Sequence, residues 1–344
     1  MDDDLSSEAI ASVTEYANRL IRKDVPIPLL TDGTDFPFIS HALEQHFLRL
    51  KEANDLRLPD LSLGNETVAI FSDYGGDHDT SKCRTYSFLF ANYDAIGPFR
   101  DAMTEIRIRH GLADPHKEIA FKDLGYEPLR RSLDDYLRTL NNLVPGFLLT
   151  VIVDKDVATL FSDSPTNALE QAGLGTWPRK EAERLLRIIH ILTYLATLLA
   201  KSGQKLFWMT DDDSIVANLT RKGQVAELFG RLLHHYSNNE YPTIGIATPF
   251  SEASYLRDLL SATDLIAGSL EHYYSRLKTD ASSKVRDDAN KILVWMGYEG
   301  VSLRRDAIRI RRSPDDVANR ANVATVKFVP TEEATNVVAV PIHP

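Results

Sequence analysis

Apolar residues recur along the chain in short runs that end at turn residues, and these runs predict five β-strands. The first begins at Thr67, where Val68–Phe71 are all apolar, as is typical of a strand buried on both faces. Tyr86, Phe88 and Phe90 alternate with smaller residues, which predicts a second strand that forms an antiparallel hairpin with the first. Three further strands are predicted over residues 146–157, 205–210 and 243–250.

Segments with apolar residues three and four apart separate these strands and predict helices. Pro98 and Pro128 lie near the first turns of two of them, and residues 253–278 form one helix or two. The most apolar helix, over residues 178–203, contains Arg187 and His190, which indicates a core helix rather than a membrane span. Alternating strands and helices with one hairpin predict an α/β fold with a mixed sheet.

The ends of the chain differ from this middle part. Residues 5–23 and 40–55 have helical spacing, so we expect residues 1–60 to form an N-terminal helical extension. Residues 61–280 form the predicted core domain. Residues 281–344 are expected to form a C-terminal appendage, with one helix followed by a basic strand and a tail rich in valine.

Composition is that of an ordinary globular protein, with 43% hydrophobic and 26% charged residues among 344. The single cysteine, Cys83, cannot form an internal disulfide, and no signal peptide or membrane span is apparent, so we expect a cytoplasmic protein without membrane association. The net charge of −10 counts against an extensive basic surface. Neither a P-loop, nor a dinucleotide-binding glycine pattern, nor a G-x-S-x-G nucleophile motif occurs.

Four acidic residues lie where apolar elements end or face inward. Asp73 ends the first strand, Glu118 lies in an extended segment, Asp211 ends the fourth strand, and Asp264 lies in an apolar helix. A buried carboxylate needs a positive partner, which an arginine, backbone N–H groups or a metal ion can supply. If the four converge, Mg²⁺ or Mn²⁺ is the natural counter-charge, and two such ions would support attack of water on a phosphodiester. The simpler interpretation of Asp73 is a strand-end residue that caps its own turn.

The motifs FSDYGG, YSFLFANYDAI, KEIAFKDL, IVDK, LFWMTDDD and ATDLIAGSL resemble the domain of unknown function 3800 family. The resemblance covers about residues 65–280, and ATDLIAGSL is its most specific part. It implies an RNase H-like fold, with a mixed five-stranded sheet flanked by helices. It also implies that Asp73, Glu118, Asp211 and Asp264 form an acidic catalytic and metal-binding site.

Two positions depart from the pattern that the resemblance implies. A Lys or His is expected two residues after Glu118, where this chain has Ala120, with Lys122 or His116 as substitutes. We include Lys122 among the predicted catalytic residues. Tyr74 stands where a second acid is common, which would weaken metal binding.

The resemblance therefore leads us to expect a metal-dependent nuclease that cleaves DNA or RNA by a two-metal mechanism, with a role in bacterial genome defence. The alternative is an inactive nuclease-like scaffold that binds nucleic acid or a protein partner, or that forms a homo-oligomer. A hydrolase that uses two carboxylates as acid and base is a third, weaker hypothesis, since no sugar-binding aromatic cleft is apparent.

The basic C-terminal segment is a further nucleic-acid-binding hypothesis. Five arginines occur within residues 302–312, and four of them are predicted to contact phosphates: Arg304, Arg305, Arg309 and Arg311. The alternative is a charged edge strand that discourages aggregation.

Overall fold

The computed structural model describes residues 21–22, 25–30, 36–113, 118–161, 164–211, 214–249, 254–280, 284–312, 321–330 and 337–342. Within these ranges the helices are α1 (Phe38–Glu52), α2 (Gly97–His110), α3 (Glu127–Leu143), α4 (Pro165–Gln171), α5 (Arg179–Leu199), α6 (Leu219–Tyr236), α7 (Ser254–Thr279) and α8 (Asp287–Gly297). The strands are β1 (Ile21–Arg22), β2 (Leu58–Pro59), β3 (Thr67–Gly75), β4 (Cys83–Asn92), β5 (Gly146–Asp154), β6 (Lys205–Thr210), β7 (Ile244–Ala247), β8 (Leu303–Arg312), β9 (Ala321–Pro330) and β10 (Val337–Ile342).

The main sheet contains the five predicted strands, in the order β5-β4-β3-β6-β7. Strand β4 runs antiparallel to β3 and β5, whereas β3, β6 and β7 are mutually parallel, so the mixed α/β fold is confirmed. The prediction of five strands is wrong for the complete sheet. β8 pairs parallel with β5, and β9 and β10 continue the sheet beyond it, which makes eight strands in the described residues.

Helices cover both faces of this sheet, and each face has its own apolar layer. We call the layer that contains α1, α5 and α6 the first layer. The second layer contains α2, α3, α7 and α8. Successive residues of a strand point to opposite faces. In β3, Val68 and Ile70 therefore pack in the first layer, whereas Ala69 and Phe71 pack in the second.

The predicted extensions contribute to these same layers. Helix α1 confirms the helix expected over residues 40–55, and its Leu43 and Phe47 are buried in the first layer. The helix expected over residues 5–23 lies mostly outside the described residues, but Ile21–Arg22 form a strand that pairs with Leu58–Pro59. The division into an extension, a core domain and an appendage stays a prediction.

Helix α5 is the predicted core helix, and its central residues are buried in the first layer. None of the described helices combines the length and the apolar character needed to cross a bilayer.

One buried ion pair differs from the sequence-based expectation. We expect Asp154 to form a surface pair with its neighbour Lys155, but Asp154 is only 2% exposed. Its carboxylate instead accepts two hydrogen bonds from the guanidinium of Arg309 and lies 2.9 Å from Lys278 Nζ. The partners come from β8 and α7, so this cluster joins the C-terminal strand to the core of the sheet.

Helix α7 lies close against β3 and β4, and two glycines make that approach possible. A Cβ at Gly75 would lie 2.6 Å from Thr85 Oγ1, whose hydroxyl donates to the Ala267 carbonyl of α7. A Cβ at Gly268 would lie 2.4 Å from Cδ1 of Phe121. The chain segment around Phe121 therefore fits against α7 where Gly268 has no side chain, as the position of Gly268 four residues after Asp264 predicts.

We expect Gly268→Ala to destabilise the protein by about 1–3 kcal/mol, because the added methyl group overlaps Phe121. Rotating the ring does not relieve the overlap, since Phe121 Cβ would lie 2.9 Å from the new atom. Chemical denaturation measures the change. Gly223→Ala in α6 is the matched control, because no atom lies within 4 Å of the added Cβ. The control should gain up to about 1 kcal/mol from helix propensity. Equal gains in both variants would contradict the close approach.

A pH-dependent contribution to stability is expected at His190, which is buried in α5 with Nδ1 2.6 Å from the Tyr236 hydroxyl. Burial, with a smaller effect from His235, lowers the pKa of His190 to about 3 from 6.5. The unfolded chain therefore binds this proton first as the pH falls. The contribution of neutral His190 to the free energy of unfolding should be fully present above pH 6.5. As the pH falls below 6.5, this contribution should decrease by about 1.4 kcal/mol per pH unit until the pH reaches about 3.

Thermal unfolding of the protein and of His190→Gln between pH 7.5 and 5 tests this expectation, because glutamine does not titrate. The slope should be smaller in His190→Gln and unchanged in His234→Gln, which removes an exposed histidine of α6. Equal slopes in all three proteins would show that His190 does not remain neutral in the folded state.

Candidate functional site

Asp73 and Asp211 lie side by side where two parallel strands end. Ser72 of β3 pairs with Thr210 of β6 in a parallel register. The next residues along the chain, Asp73 and Asp211, therefore lie beside each other at the same edge of the sheet. The Asp211 N–H lies 3.4 Å from the Ser72 carbonyl oxygen, which continues the ladder by one step. Asp73 is half-buried and Asp211 is exposed. The two strand-end acids are thus brought together as the sequence predicts.

Helix α7 places Asp264 against Asp73 on the face of the second layer. The two carboxyl groups share a hydrogen bond in which Asp73 donates and Asp264 accepts. Asp264 also accepts a hydrogen bond of 2.6 Å from the backbone N–H of Phe121. A hydrogen bond between two carboxyl groups forms only in the state in which one of them is protonated.

Burial and mutual repulsion account for this protonation. Burial, followed by the negative charges of Asp264 and Asp211, raises the pKa of Asp73 well above its usual value. Burial also raises the pKa of Asp264, although the hydrogen bonds from Phe121 and Asp73 act in the opposite direction. The two groups titrate together, so the proton belongs to the pair.

Glu118 is the fourth acid of the site. The residue is exposed as a whole, but its carboxylate is partly shielded from water, and this partial desolvation, followed by the charges of Asp211 and Asp264, raises its pKa. The positive charges of Lys122 and Arg257 partly offset this effect, because each of them lowers the pKa of Glu118. Lys122, exposed in the short 3-10 turn Phe121–Asp123, also lowers the pKa of Asp264, so it faces both acids. The predicted catalytic residues thus interact electrostatically as one cluster.

Arg257 is a member of this cluster that the sequence analysis missed. It lies on α7 seven residues before Asp264, a separation that returns to the same face of a helix. Its Nε is buried and has no hydrogen-bond partner among the described residues. The spacing between Arg257 and Asp264 was the available signal, but many helical arginines share it.

The two departures from the family pattern have different structural outcomes. Tyr74 points to the first layer, away from Asp73, and its hydroxyl contacts Ser72 Oγ at 2.7 Å and Thr210 Oγ1 at 3.2 Å. Ala120 is buried and presents no charge next to Glu118. In this extended segment Glu118 is exposed, whereas Ile119 and Ala120 are both buried. His116, Asp212 and Asp213 lie outside the described residues.

Carboxylate oxygens are the ligands that Mg²⁺ and Mn²⁺ prefer, so the donor chemistry of the acidic cluster fits such a cation. The negative charges of Asp264 and Asp211 add to burial in raising the pKa of Asp73, so negative charge is in excess at this place. The acidic residues therefore fit a cation by their oxygen ligands and by their excess of negative charge. Within the described residues, however, no three His, Cys, Asp or Glu side chains are already arranged as the ligands of one ion.

Most of the predicted phosphate-binding arginines of β8 are engaged within the fold. Arg309 binds Asp154 and lies over the ring of Tyr274, and Arg304 pairs with Glu299 at 3.0 Å. Burial, with a smaller effect from Arg304, lowers the pKa of Arg305 to about 9. The Arg305 guanidinium packs over the ring of Trp295, with its Cζ 3.9 Å from the ring centre.

Arg311 is half-buried, and its Nε has no hydrogen-bond partner among the described residues. These contacts explain the basic segment as part of the sheet, and its binding of nucleic acid stays a prediction.

Comparison with known proteins adds no further assignment, since the chain matches no protein-family model and no curated protein. The resemblance to the domain of unknown function 3800 family therefore depends on the quoted motifs alone.

Proposed function

We propose that this chain is a Mg²⁺- or Mn²⁺-dependent phosphodiesterase that cleaves nucleic acid and has an RNase H-like fold. The observation that carries the proposal is the convergence of Asp73, Asp211, Asp264 and Glu118, each contributed by a different segment. The five-stranded mixed core, with helices on both faces and acids at the ends of β3 and β6, also supports it.

The charge balance of the cluster favours a bound cation over a purely structural role. Four acids face two basic side chains, Lys122 and Arg257, whose effects are seen on Glu118 and Asp264. By contrast, Asp154 has Arg309 and Lys278 beside it, and Asp258 of α7 has Arg107. These two acids thus have adjacent cations, whereas the ionisable groups that act most strongly on Asp73 are two other acids, Asp264 and Asp211.

In this proposal Asp73, Asp211, Asp264 and Glu118 hold the cations. Bound Mg²⁺ or Mn²⁺ supplies charge neutralisation, activation of water and stabilisation of the departing oxygen. The Phe121 N–H orients one oxygen of Asp264 and leaves the other oxygen available. Lys122, which is exposed beside Glu118 and Asp264, is placed to bind a phosphate oxygen of the substrate. Arg257 acts as a positioning residue for Glu118.

The second candidate function is an inactive nuclease-like scaffold that binds nucleic acid or a protein partner. Ala120 favours it, because a buried alanine stands where the family pattern has a basic residue. Lys122 lies close enough to the acids to replace that charge, and for this reason we favour the enzyme.

The proposed metal site first predicts a change in stability, which can be measured without a substrate. In EDTA, Asp73→Asn should raise the melting temperature, because the raised pKa of Asp73 means that ionising this group in the folded protein costs free energy. The contribution from its proton is present at low pH and is lost as the pH rises above 3.8. The advantage of Asp73→Asn should therefore grow with pH.

Adding Mn²⁺ should make the unaltered protein more stable than Asp73→Asn. At about a hundredfold excess over its dissociation constant, Mn²⁺ should stabilise the unaltered protein by about 2–3 kcal/mol. The gain should be much smaller in Asp73→Asn, whereas Asp101→Asn, at an exposed site on α2, should behave like the unaltered protein. Equal stabilisation of all three proteins by Mn²⁺ would place the cation elsewhere.

The second prediction concerns cleavage. Labelled single-stranded and double-stranded DNA, RNA and RNA–DNA hybrid should include at least one substrate that the protein cleaves with Mg²⁺ or Mn²⁺ and not in EDTA. Asp73→Asn and Asp264→Asn should each lower the rate by at least about a hundredfold, a loss typical of removing one main electrostatic group. Gel electrophoresis of the products measures the rate.

Asp101→Asn is again the control, and it should retain the full rate. Cleavage that persists in EDTA would contradict the proposal. Stabilisation by Mn²⁺ without cleavage of any substrate would favour the inactive scaffold.

A further inference from the structure

A cavity lies on the opposite face of the sheet from Asp73. It has a volume of about 760 Å³ and lies between the turn after β3, the side chain of Tyr86 in β4, and the first turns of α5. Tyr86 and the buried residues of α5 belong to the first layer, whereas Asp264 projects from α7 in the second layer. The sheet therefore separates this cavity from the acidic cluster.

Basic side chains dominate the lining of this cavity. Five of them contribute: Arg84, Arg179, Lys180, Arg184 and Arg187. Among the described residues the acids that line it are Asp77 and Glu183, so the described basic groups exceed the described acidic ones by three. The cavity also includes Arg179 and Lys180 at the positive N-terminal end of the long helix α5. A local positive potential of this kind attracts anions even in a protein of net negative charge.

Arg187 is the residue that indicates a ligand. It is 1% exposed, and its Nε and Nη2 both donate to one oxygen of Glu183, at 2.9 and 2.7 Å. Its third nitrogen, Nη1, is buried and makes no hydrogen bond to any described residue. The Tyr86 hydroxyl is its neighbour and interacts with the Arg187 guanidinium. Neither Nη1 nor this hydroxyl makes a well-oriented hydrogen bond to a described residue. A buried guanidinium donor without a well-oriented acceptor is costly, and an oxyanion in the cavity would supply one.

The acids of the cavity already have assigned partners. Asp77 pairs with Arg184 and lies 3.7 Å from Arg84 Nε, and it lies 4.0 Å from Lys180 Nζ. Glu183 accepts hydrogen bonds from Arg187 and from Thr159 Oγ1, the latter at 2.9 Å. Arg179 and Lys180 are exposed at the rim, so they remain accessible to a bound anion.

The rest of the wall is apolar and partly aromatic. Phe161, Ala158 and Pro165 line the cavity with the ring of Tyr86. A cavity of this size accommodates a drug-sized molecule rather than a bare ion. The combination of arginines with flat apolar surface fits a phosphate group joined to a planar ring.

We propose that this cavity binds a nucleoside phosphate. The phosphate oxygens accept hydrogen bonds from Arg187 Nη1 and from the rim residues Arg179 and Lys180. The base lies against the apolar wall formed by Phe161 and Ala158, behind which Tyr86 and Pro165 are buried. The ligand is either a free nucleotide or the 5′-phosphorylated end of a strand, since both present the same group. The proposal does not depend on the acidic cluster or on cleavage.

Isothermal titration of the full chain with AMP in EDTA tests the proposal, because EDTA excludes binding through a cation at the acidic cluster. We expect saturable binding of AMP with a dissociation constant below about 1 mM, and much weaker binding of adenosine. The double variant Arg179→Ala/Lys180→Ala should weaken AMP binding at least tenfold. Arg187→Gln should do the same, provided that its circular dichroism and melting curve show a folded protein.

The matched control is Arg130→Ala/Arg131→Ala, which removes two adjacent exposed basic residues from α3. This variant and Asp73→Asn should bind AMP as the unaltered protein does. Competition by a 5′-phosphorylated oligonucleotide, but not by its 5′-hydroxyl form, would identify a strand end as the ligand. Failure to compete would identify a free nucleotide.

The proposal is overturned if the folded protein does not bind AMP, or if adenosine binds as tightly as AMP. It is also overturned if Arg179→Ala/Lys180→Ala binds AMP with unchanged affinity. None of these results depends on whether the protein cleaves nucleic acid, so they do not bear on the proposed nuclease activity.

Discussion

The contact between the carboxyl groups of Asp73 and Asp264 is the interaction on which the candidate site depends. Two carboxylates in a partly dry site cannot both ionise without a positive charge between them. The packing of the fold creates this situation, because Gly75 and Gly268 allow α7 to approach β3 and Phe121 without intervening side chains. A proton shared by the pair is one way to relieve this repulsion, and the raised pKa of Asp73 favours it. A divalent cation would resolve it at neutral pH and would also draw in Asp211 and Glu118.

Much of this arrangement can be predicted from the sequence, because it follows from local patterns. The apolar run that ends at Asp73 predicts a buried strand with a carboxylate at its end, and the same pattern recurs at Asp211. Parallel pairing of β3 and β6 then places the two acids side by side. Gly268, one turn after Asp264, correctly predicts the close approach of another segment. Periodicity and glycine placement thus carry information about both the fold and the site.

Other features could not be predicted, because they depend on contacts between distant segments. The run of arginines after residue 302 has the composition of an exposed phosphate-binding strand, yet β8 pairs with β5 inside the sheet. That pairing brings Arg309 to Asp154, a residue that looks like a surface acid beside Lys155 when only its neighbours are considered. Arg257 was missed for the same reason, since its relation to Glu118 exists only in the folded chain.

Strand β3 divides the molecule into two electrostatic environments. Asp73 points to the second layer, where it meets the acidic cluster. Its neighbour Tyr74 points to the first layer and lies beneath Arg184, at the edge of the basic cavity. Side-chain alternation along one strand is sufficient to produce this separation. The net charge of −10 is therefore a poor guide to what the protein binds, because it averages over an acidic cluster, which we propose to hold a cation, and a basic cavity, which we propose to hold an anion. The sheet lies between them and keeps the two sets of charges from neutralising each other.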